Sequence, residues 1–162
     1  KDKVAIRNYL RSQNRDNEFT KLQGLIYGPE IKKAIPFKGF KSVLEKLIND
    51  KFLIYIVSHK TKYPFTGEKY NLREYAKEWL IENEVINIKK GLTLNQVFFE
   101  DTKEKKIQRI MDLKCNYFID DLPEIIQLIP SNIKGILFDV NSHFSDQDFS
   151  KISSWKEIFS KL

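Results

Sequence analysis

The chain has 162 residues, a formal net charge of +6 and a hydrophobic content of 41%. Its length suits one domain with a substantial core, and it lacks the run of about 18 apolar residues that a membrane span needs. The start of the chain is charged and has a helical pattern, unlike a signal peptide. The single cysteine, Cys115, excludes an internal disulfide. These features predict a cytoplasmic protein.

The excess of basic residues is a feature of proteins that bind nucleic acid. In this chain, however, the lysines are interleaved with aspartate and glutamate, which is typical of solvated helix faces. No basic run is interleaved with aromatic residues that could stack on bases. The charge pattern therefore argues against a nucleic-acid partner.

The first half of the chain alternates helical and strand patterns. Apolar periodicity predicts helices over residues 3–13 and 17–27, and a Gly-Pro pair ends the second. A third helix is predicted over 39–50, followed by a buried, β-branched strand over 52–57. A polar loop over 59–70 comes next. This alternation is typical of a parallel α/β sheet.

The second half continues the alternation. A helix is predicted over 72–83, with Asn71 as its cap, and a short strand over 97–99. Thr102 is predicted to cap a helix over 103–114. The remaining predicted elements are a strand over 116–119, a short helix over 123–128, a final strand over 136–138 and an amphipathic helix over 152–161.

Polar residues follow the predicted strands, and ligands bind at the carboxyl ends of strands in parallel sheets. Ser58 follows the first strand, while Asp120 and Asp121 follow the third. Lys103 and Lys106 lie at the start of the helix between them. A hydroxyl can hydrogen-bond a phosphoryl oxygen, an ammonium can neutralise its charge, and carboxylates suit Mg²⁺. The pattern indicates phosphoryl-transfer chemistry.

Three segments resemble motifs of the haloacid-dehalogenase-like (HAD) hydrolases, in the same order and with similar spacing. Ile54–Ser58 resembles the second motif, an apolar strand ending in serine or threonine, and Tyr117–Asp121 resembles the fourth, a strand ending in paired aspartates. Lys106 resembles the lysine of the third motif, with Lys103 as the alternative. The similarity, to a little-described bacterial subgroup, covers roughly residues 4–140.

The resemblance implies a single α/β domain over 1–162, with a three-layer Rossmann-like fold, a parallel sheet and a small helical cap. Residues 1–33 would belong to the cap, and residues 34–162 would form the core without its first strand. It also implies hydrolysis of a small phosphomonoester through an aspartyl-phosphate, with Mg²⁺ as cofactor.

The same resemblance assigns roles to individual residues. Asp120 would bind Mg²⁺ directly, with Asp121 as a supporting carboxylate. Ser58 would bind the phosphoryl group, and the lysine of the third motif would bridge the phosphate and the nucleophile. His59 and Lys60 open a loop that would contact the substrate, and Lys62 and Lys69 of this loop could also meet an anionic substrate.

The family's nucleophile is missing from its usual place. HAD enzymes attack phosphorus with the first aspartate of an Asp-x-Asp motif that ends the first strand. The segment of this chain that is most similar to this motif is GILFDVN over 135–141, which carries Asp139. It lies where the last strand of the family belongs, and an asparagine replaces the second aspartate and cannot exchange protons usefully.

The missing strand lies, in the family, between the strands that end at Ser58 and Asp120. Its absence would leave two interior edges with unpaired backbone groups. Because the sequence starts with Lys1 rather than methionine, we expect the native protein to begin earlier, with a strand that ends in Asp-x-Asp.

Two other functions stay open at this stage. One is a non-catalytic HAD-like domain that binds a phosphorylated ligand or a partner protein. The other is a phosphatase or binding module that acts on nucleic-acid ends, for which strong salt dependence of binding would be expected. The substrate and the oligomeric state are not determined by the sequence.

Overall fold

The computed structural model describes residues 3–87, 92–145 and 148–162. Its helices are α1 (Lys3–Ser12), α2 (Asp16–Tyr27), α3 (Phe40–Asn49), α4 (Leu72–Glu82), α5 (Lys103–Asp112) and α6 (Pro123–Ile126). Its strands are β1 (Ile56–His59), β2 (Val97–Glu100), β3 (Tyr117–Asp120), β4 (Lys134–Phe138) and β5 (Lys151–Ile152). Short 3-10 helices cover Pro29–Lys33, Leu94–Gln96 and Trp155–Ser160. None of the described helices is both long and apolar enough to cross a membrane.

The chain forms two compact units. The helical unit comprises Lys1–Ile35 and Lys60–Ile86, and the sheet unit comprises Pro36–His59 and Asn87–Leu162. Lys60–Ile86 falls in the same unit as the predicted cap segment, because α4 packs against α2 and the first 3-10 helix, and Pro64 of the loop before α4 lies against Gly24.

Two predicted elements are wrong in part. The strand expected over 52–57 pairs only from Ile56 to His59. The closing helix expected over 152–161 begins instead as β5 and continues as a 3-10 helix, so the strand at 136–138 is not the last. Ile152 pairs with β4 and is 1% exposed. Tertiary pairing therefore overrides the helical pattern of this short segment.

Two predicted helix caps are confirmed. The backbone N–H of Glu74 donates to Asn71 Oδ1 at the start of α4 (3.4 Å), and that of Lys105 donates to Thr102 Oγ1 at the start of α5 (3.2 Å). Each cap satisfies a donor that the helix leaves unpaired, which typically stabilises a helix by about 1 kcal/mol. The Thr102 cap sets where α5 begins and therefore where its lysines lie.

Glycines let the loop before α4 approach α2 closely in the helical unit. A Cβ on Gly24 would lie 2.8 Å from the ring of Pro64. A Cβ on Gly28 would lie 2.6 Å from the Gly24 carbonyl oxygen and 3.0 Å from Tyr70 Cβ. Larger residues at these two positions would therefore separate the loop from the helix.

Replacing Gly28 with alanine should destabilise the helical unit by about 1–3 kcal/mol, because the new methyl group meets backbone that cannot move aside. Denaturant unfolding of the chain measures this loss. Asn17→Ala, at an exposed position of α2, is the control and should change stability by less than about 0.5 kcal/mol. Equal stability of the Gly28 and Asn17 variants would contradict the close approach.

Parallel pairing organises the sheet unit. β1 pairs with β2, and β4 pairs with both β3 and β5, in every case in parallel. Alternate residues of β4 point to opposite faces, and Ile136, Leu137 and Phe138 are all buried. The core cluster on one face contains Val43, Ile136, Phe138, Ile152 and Ile158, with Trp155 packed against it. The architecture is a mixed α/β structure with short parallel sheets.

The sheet unit has two separate sheets instead of the single parallel sheet that was expected. In the described part of the chain, each terminal strand of these sheets has one edge without a strand partner, namely β1, β2, β3 and β5. The residues of β1 and β3 have intermediate exposure except for the exposed His59, whereas Ile136 and Leu137 of β4 are fully buried. Inner strands of parallel sheets are normally covered on both sides. The position of β4 between β3 and β5 accounts for its deeper burial.

Candidate functional site

A buried ion pair lies at the carboxyl end of β3. Lys106 Nζ lies 2.5 Å from Asp120 Oδ2, and the two side chains are only 7% and 8% exposed. The same ammonium lies 5.2 Å from the centre of the Phe118 ring. The second oxygen of Asp120 accepts a hydrogen bond from the backbone N–H of Leu122 (3.0 Å). Both charges are thus compensated, as burial requires.

Contacts along α5 hold Lys106 in place. Ile110, one turn further along the helix, is fully buried. Arg109 Nε donates to Glu100 Oε1 (2.8 Å), and its guanidinium lies 4.8 Å from the centre of the Phe98 ring. Both partners of Arg109 are in β2. The helix is therefore fixed on β2 while its N-terminal part reaches β3.

Lys103, the alternative lysine, lies elsewhere. Its Nζ contacts Glu124 Oε1 at 3.3 Å, and the two side chains are 39% and 51% exposed. An exposed pair of this kind contributes little to stability. Of the two candidate lysines, Lys106 is the one that the structure brings to Asp120.

The serine and histidine that end β1 lie in the same unit. Ser58 is opposite Phe99 in the β1–β2 register and is half-buried. The His59 ring Nε2 lies 3.0 Å from the carbonyl oxygen of Asp101. Because a carbonyl only accepts, Nε2 is the donor in this contact. His59 thus ties the end of β1 to the loop after β2.

Lys60 belongs to the helical unit. Its ammonium lies 4.7 Å from the centre of the Tyr27 ring, and its carbonyl oxygen accepts from Arg73 Nε (2.9 Å). Both contacts lie within the helical unit, and they hold the start of the loop against α2 and α4.

Asp120 and the exposed Asp121 are adjacent carboxylates at the end of β3. No group of three or more His, Cys, Asp or Glu side chains in the described ranges could hold a metal. Mg²⁺ commonly uses only one or two protein carboxylates and completes its shell with water and substrate phosphates. Both oxygens of Asp120 already accept hydrogen bonds, from Lys106 and from the backbone N–H of Leu122, so an ion bound there would have to share Asp120 with these donors.

Asp139, at the end of β4, holds the loop that follows the strand. Its two oxygens accept from the backbone N–H groups of His143 and Phe144, each at 3.0 Å, and Lys151 Nζ lies 3.8 Å away. Burial alone would raise the pKa of Asp139, but these donors and the lysine charge hold it below its ordinary value. Both oxygens are engaged, so Asp139 is a structural anchor and poorly suited to attack phosphorus.

Sequence reasoning considered Asp139 only as a displaced nucleophile and missed this anchoring role. The sequence signal for this role was a buried strand followed directly by aspartate and a polar turn. In the structure, Ser142 of that turn has a left-handed backbone conformation, with a φ of +52°. The donors to Asp139 come from residues four and five positions later, so the contact depends on how the loop turns back.

No protein-family model matches this chain, and no solved structure matches it significantly. A curated protein of Bacillus cereus (strain ATCC 14579), named "Putative nucleotidase", is 30% identical to the chain over 101 residues. The aligned part covers 59% of this chain and 48% of the relative. The chain thus spans about half the length of the curated relative that it matches.

Proposed function

We propose that this chain belongs to a Mg²⁺-dependent phosphomonoester hydrolase of HAD type that acts on a small phosphorylated substrate. The observation that carries the proposal is the buried pair of Lys106 and Asp120 at the carboxyl end of β3. The name of the Bacillus cereus relative supports hydrolysis of phosphate esters, and the resemblance to three HAD motifs supports the mechanism.

Each side chain at this edge has a use in phosphoryl transfer. Lys106 would place a positive charge beside the equatorial oxygens of the phosphoryl group, and the Ser58 hydroxyl would donate a hydrogen bond to one of them. Asp120 and Asp121 would hold Mg²⁺, which when bound supplies further charge stabilisation. Burial of Lys106 and Asp120 would strengthen their electrostatic interactions, because little water screens them.

We further propose that the attacking aspartate lies on a strand that pairs with the open edges of β1 and β3. The His59–Asp101 and Lys106–Asp120 contacts bring the carboxyl ends of β1, β2 and β3 to one side. A strand between β1 and β3 would therefore run parallel to both and end beside Lys106. Its backbone would satisfy both edges at once.

Phosphate release from an aryl phosphate tests the proposal, with the full-length product of the gene compared with this 162-residue chain. We expect Mg²⁺-dependent release from the full-length product, and a loss of at least about 100-fold in Asp120→Asn. Glu124→Gln, which changes an exposed partner of Lys103 and leaves Lys106 and Asp120 in place, is the control and should retain activity. Full activity of Asp120→Asn, or activity unaffected by chelator, would refute the hydrolase.

A second function, binding of a phosphorylated ligand without hydrolysis, is favoured by one observation. In the described part of the sheet unit, the carboxylates at this edge are already engaged: Asp120 by Lys106 and Leu122, and Asp139 by its loop. Binding of phosphate by the full-length product, without release from any phosphomonoester, would support this reading.

A further inference from the structure

The buried pair of Lys106 and Asp120 compensates its own charges. Lys106 Nζ lies 2.5 Å from Asp120 Oδ2, and the two side chains are 7% and 8% exposed. The other contacts of the pair are with neutral groups: the centre of the Phe118 ring lies 5.2 Å from the ammonium, and the backbone N–H of Leu122 donates to Asp120 Oδ1 (3.0 Å). Among the residues that the structure describes, each charge therefore has the other as its ionic partner.

A divalent cation bound alone at Asp120 would disturb this balance. Both carboxylate oxygens already accept hydrogen bonds, so the cation has to share Oδ2 with Lys106. The cation would also repel the ammonium, which is buried too deeply for water to screen the two charges well. A buried charge whose ionic partner is taken away is strongly unfavourable. The cation alone should therefore bind weakly.

A phosphoryl group bound alone at Lys106 meets the opposite problem. The ammonium would have to share its charge between the phosphoryl oxygens and Asp120 Oδ2. The phosphoryl group would also repel the Asp120 carboxylate, and like charges repel each other strongly where little water is present. The anion alone should therefore also bind weakly.

Simultaneous binding of the two ligands removes both penalties. Asp120 then faces the cation, Lys106 faces the phosphoryl group, and each buried charge keeps a partner of opposite sign. The two ligands also attract each other directly, since Mg²⁺ commonly completes its shell with substrate phosphates. Each ligand therefore offsets the unfavourable part of binding the other.

We infer that the Lys106–Asp120 pair couples the binding of a divalent cation to the binding of a phosphoryl group, so that each ligand binds weakly alone and more tightly beside the other. The inference rests on the proposed function for the identity of the two ligands, and it deepens that function by stating how binding at the same site is regulated. Because such coupling is reciprocal, each ligand raises the affinity for the other by the same factor.

Calorimetric titration of the full-length product of the gene with Mg²⁺, in the absence and in the presence of inorganic phosphate at constant ionic strength, tests the inference without needing catalysis. Phosphate should raise the affinity for Mg²⁺ at least about fivefold, and Mg²⁺ should raise the affinity for phosphate by the same factor. Lys105→Met, at an exposed position of the same helix, is the matched control and should keep this coupling. Asp120→Asn should lose it, and this variant also reports any association of the two ions in solution.

Lys106→Met separates the two halves of the coupling. Without the ammonium, Asp120 no longer divides its charge, so this variant should bind Mg²⁺ alone more tightly than the original protein does, and phosphate should no longer raise that affinity. Because loss of one buried charge destabilises the fold, thermal unfolding is measured as well, and Mg²⁺ should raise the midpoint of Lys106→Met more than that of the original protein. Lys106→Arg, which keeps the positive charge, should retain the coupling. The titrations of the original protein and of Lys105→Met do not depend on whether Lys106→Met folds.

Several results would overturn the inference. These are equal affinities for Mg²⁺ with and without phosphate, undetectable binding of both ions by the original protein, or coupling that persists unchanged in Asp120→Asn. The hydrolase can fail separately, because release of phosphate from an aryl phosphate is measured independently. Mg²⁺-dependent release with independent binding of the two ions would leave the hydrolase and remove the coupling. Coupled binding without any release would keep the coupling and favour the non-catalytic function.

Discussion

Replacing Lys106 with methionine should lower the free energy of unfolding by about 3–5 kcal/mol, because Asp120 then stays buried without its cation. The Asp120 side chain is 8% exposed and its contact with Lys106 is 2.5 Å. The backbone N–H of Leu122 would be its one remaining described donor. Methionine keeps most of the volume of the lysine stem, so the loss reports the missing charge. Denaturant unfolding of the chain provides the measurement.

A second ion pair of the same helix supplies the control. Lys103→Met removes the exposed contact with Glu124 and should cost less than about 1 kcal/mol. The double variant Lys106→Met with Asp120→Leu should recover much of the loss, since it removes both buried charges together. Equal costs for Lys106→Met and Lys103→Met would show that the buried pair does not form in solution.

Replacing Asp139 with asparagine should destabilise the sheet unit by roughly 2–3 kcal/mol at neutral pH. The loss is this large because hydrogen bonds to a charged acceptor are stronger than those to a neutral one. The carboxylate accepts from His143 and Phe144, and an amide can offer an acceptor to only one of these two donors. Its NH₂ group would face the other backbone N–H. Asp112→Asn, at an exposed position, should change stability by less than about 0.5 kcal/mol.

The contribution of the Asp139 carboxylate to the free energy of unfolding should depend on pH in a defined direction. The pKa of the Asp139 side chain is lower in the folded chain than in the unfolded chain, where an aspartate has a pKa of about 3.9. Between these two values the unfolded state binds more protons, so stability rises with pH. The contribution is therefore complete above the unfolded pKa and is lost as the pH falls through the folded pKa.

The difference in stability between the original chain and Asp139→Asn should therefore shrink below about pH 4 and stay constant above about pH 5. Urea unfolding at a series of pH values measures this difference. A difference that stays constant down to pH 2 would mean that the Asp139 carboxylate is not held by the loop.

The order of helices and strands was predictable because local signals dominate it. Asn71 and Thr102 could be assigned as caps, since a capping side chain bonds to backbone only three residues away. The helix predicted over 152–161 was wrong at its start, because the first residues of this segment pair with β4 and only Trp155–Ser160 forms a helical turn, of the 3-10 type. Ile152 joins the sheet by pairing with β4, and that pairing depends on residues more than ten positions earlier.

The candidate site was predictable in outline but not in detail. Spacing brought Ser58, Lys106 and Asp120 into consideration, because parallel strands end at one edge. It could not separate Lys103 from Lys106, which are three positions apart on the same helix surface. The choice depends on which side chain reaches β3 and which reaches Glu124.

The sequence by itself determined the α/β alternation, the helix caps and the set of polar residues that follow the strands, because all of these depend on contacts between near neighbours in the chain. Only the tertiary structure decided that Lys106 pairs with Asp120, that Asp139 anchors its own loop, and that Ile152 joins the sheet beside β4. Burial, charge compensation and strand pairing decide these features, and they join segments that are distant in sequence.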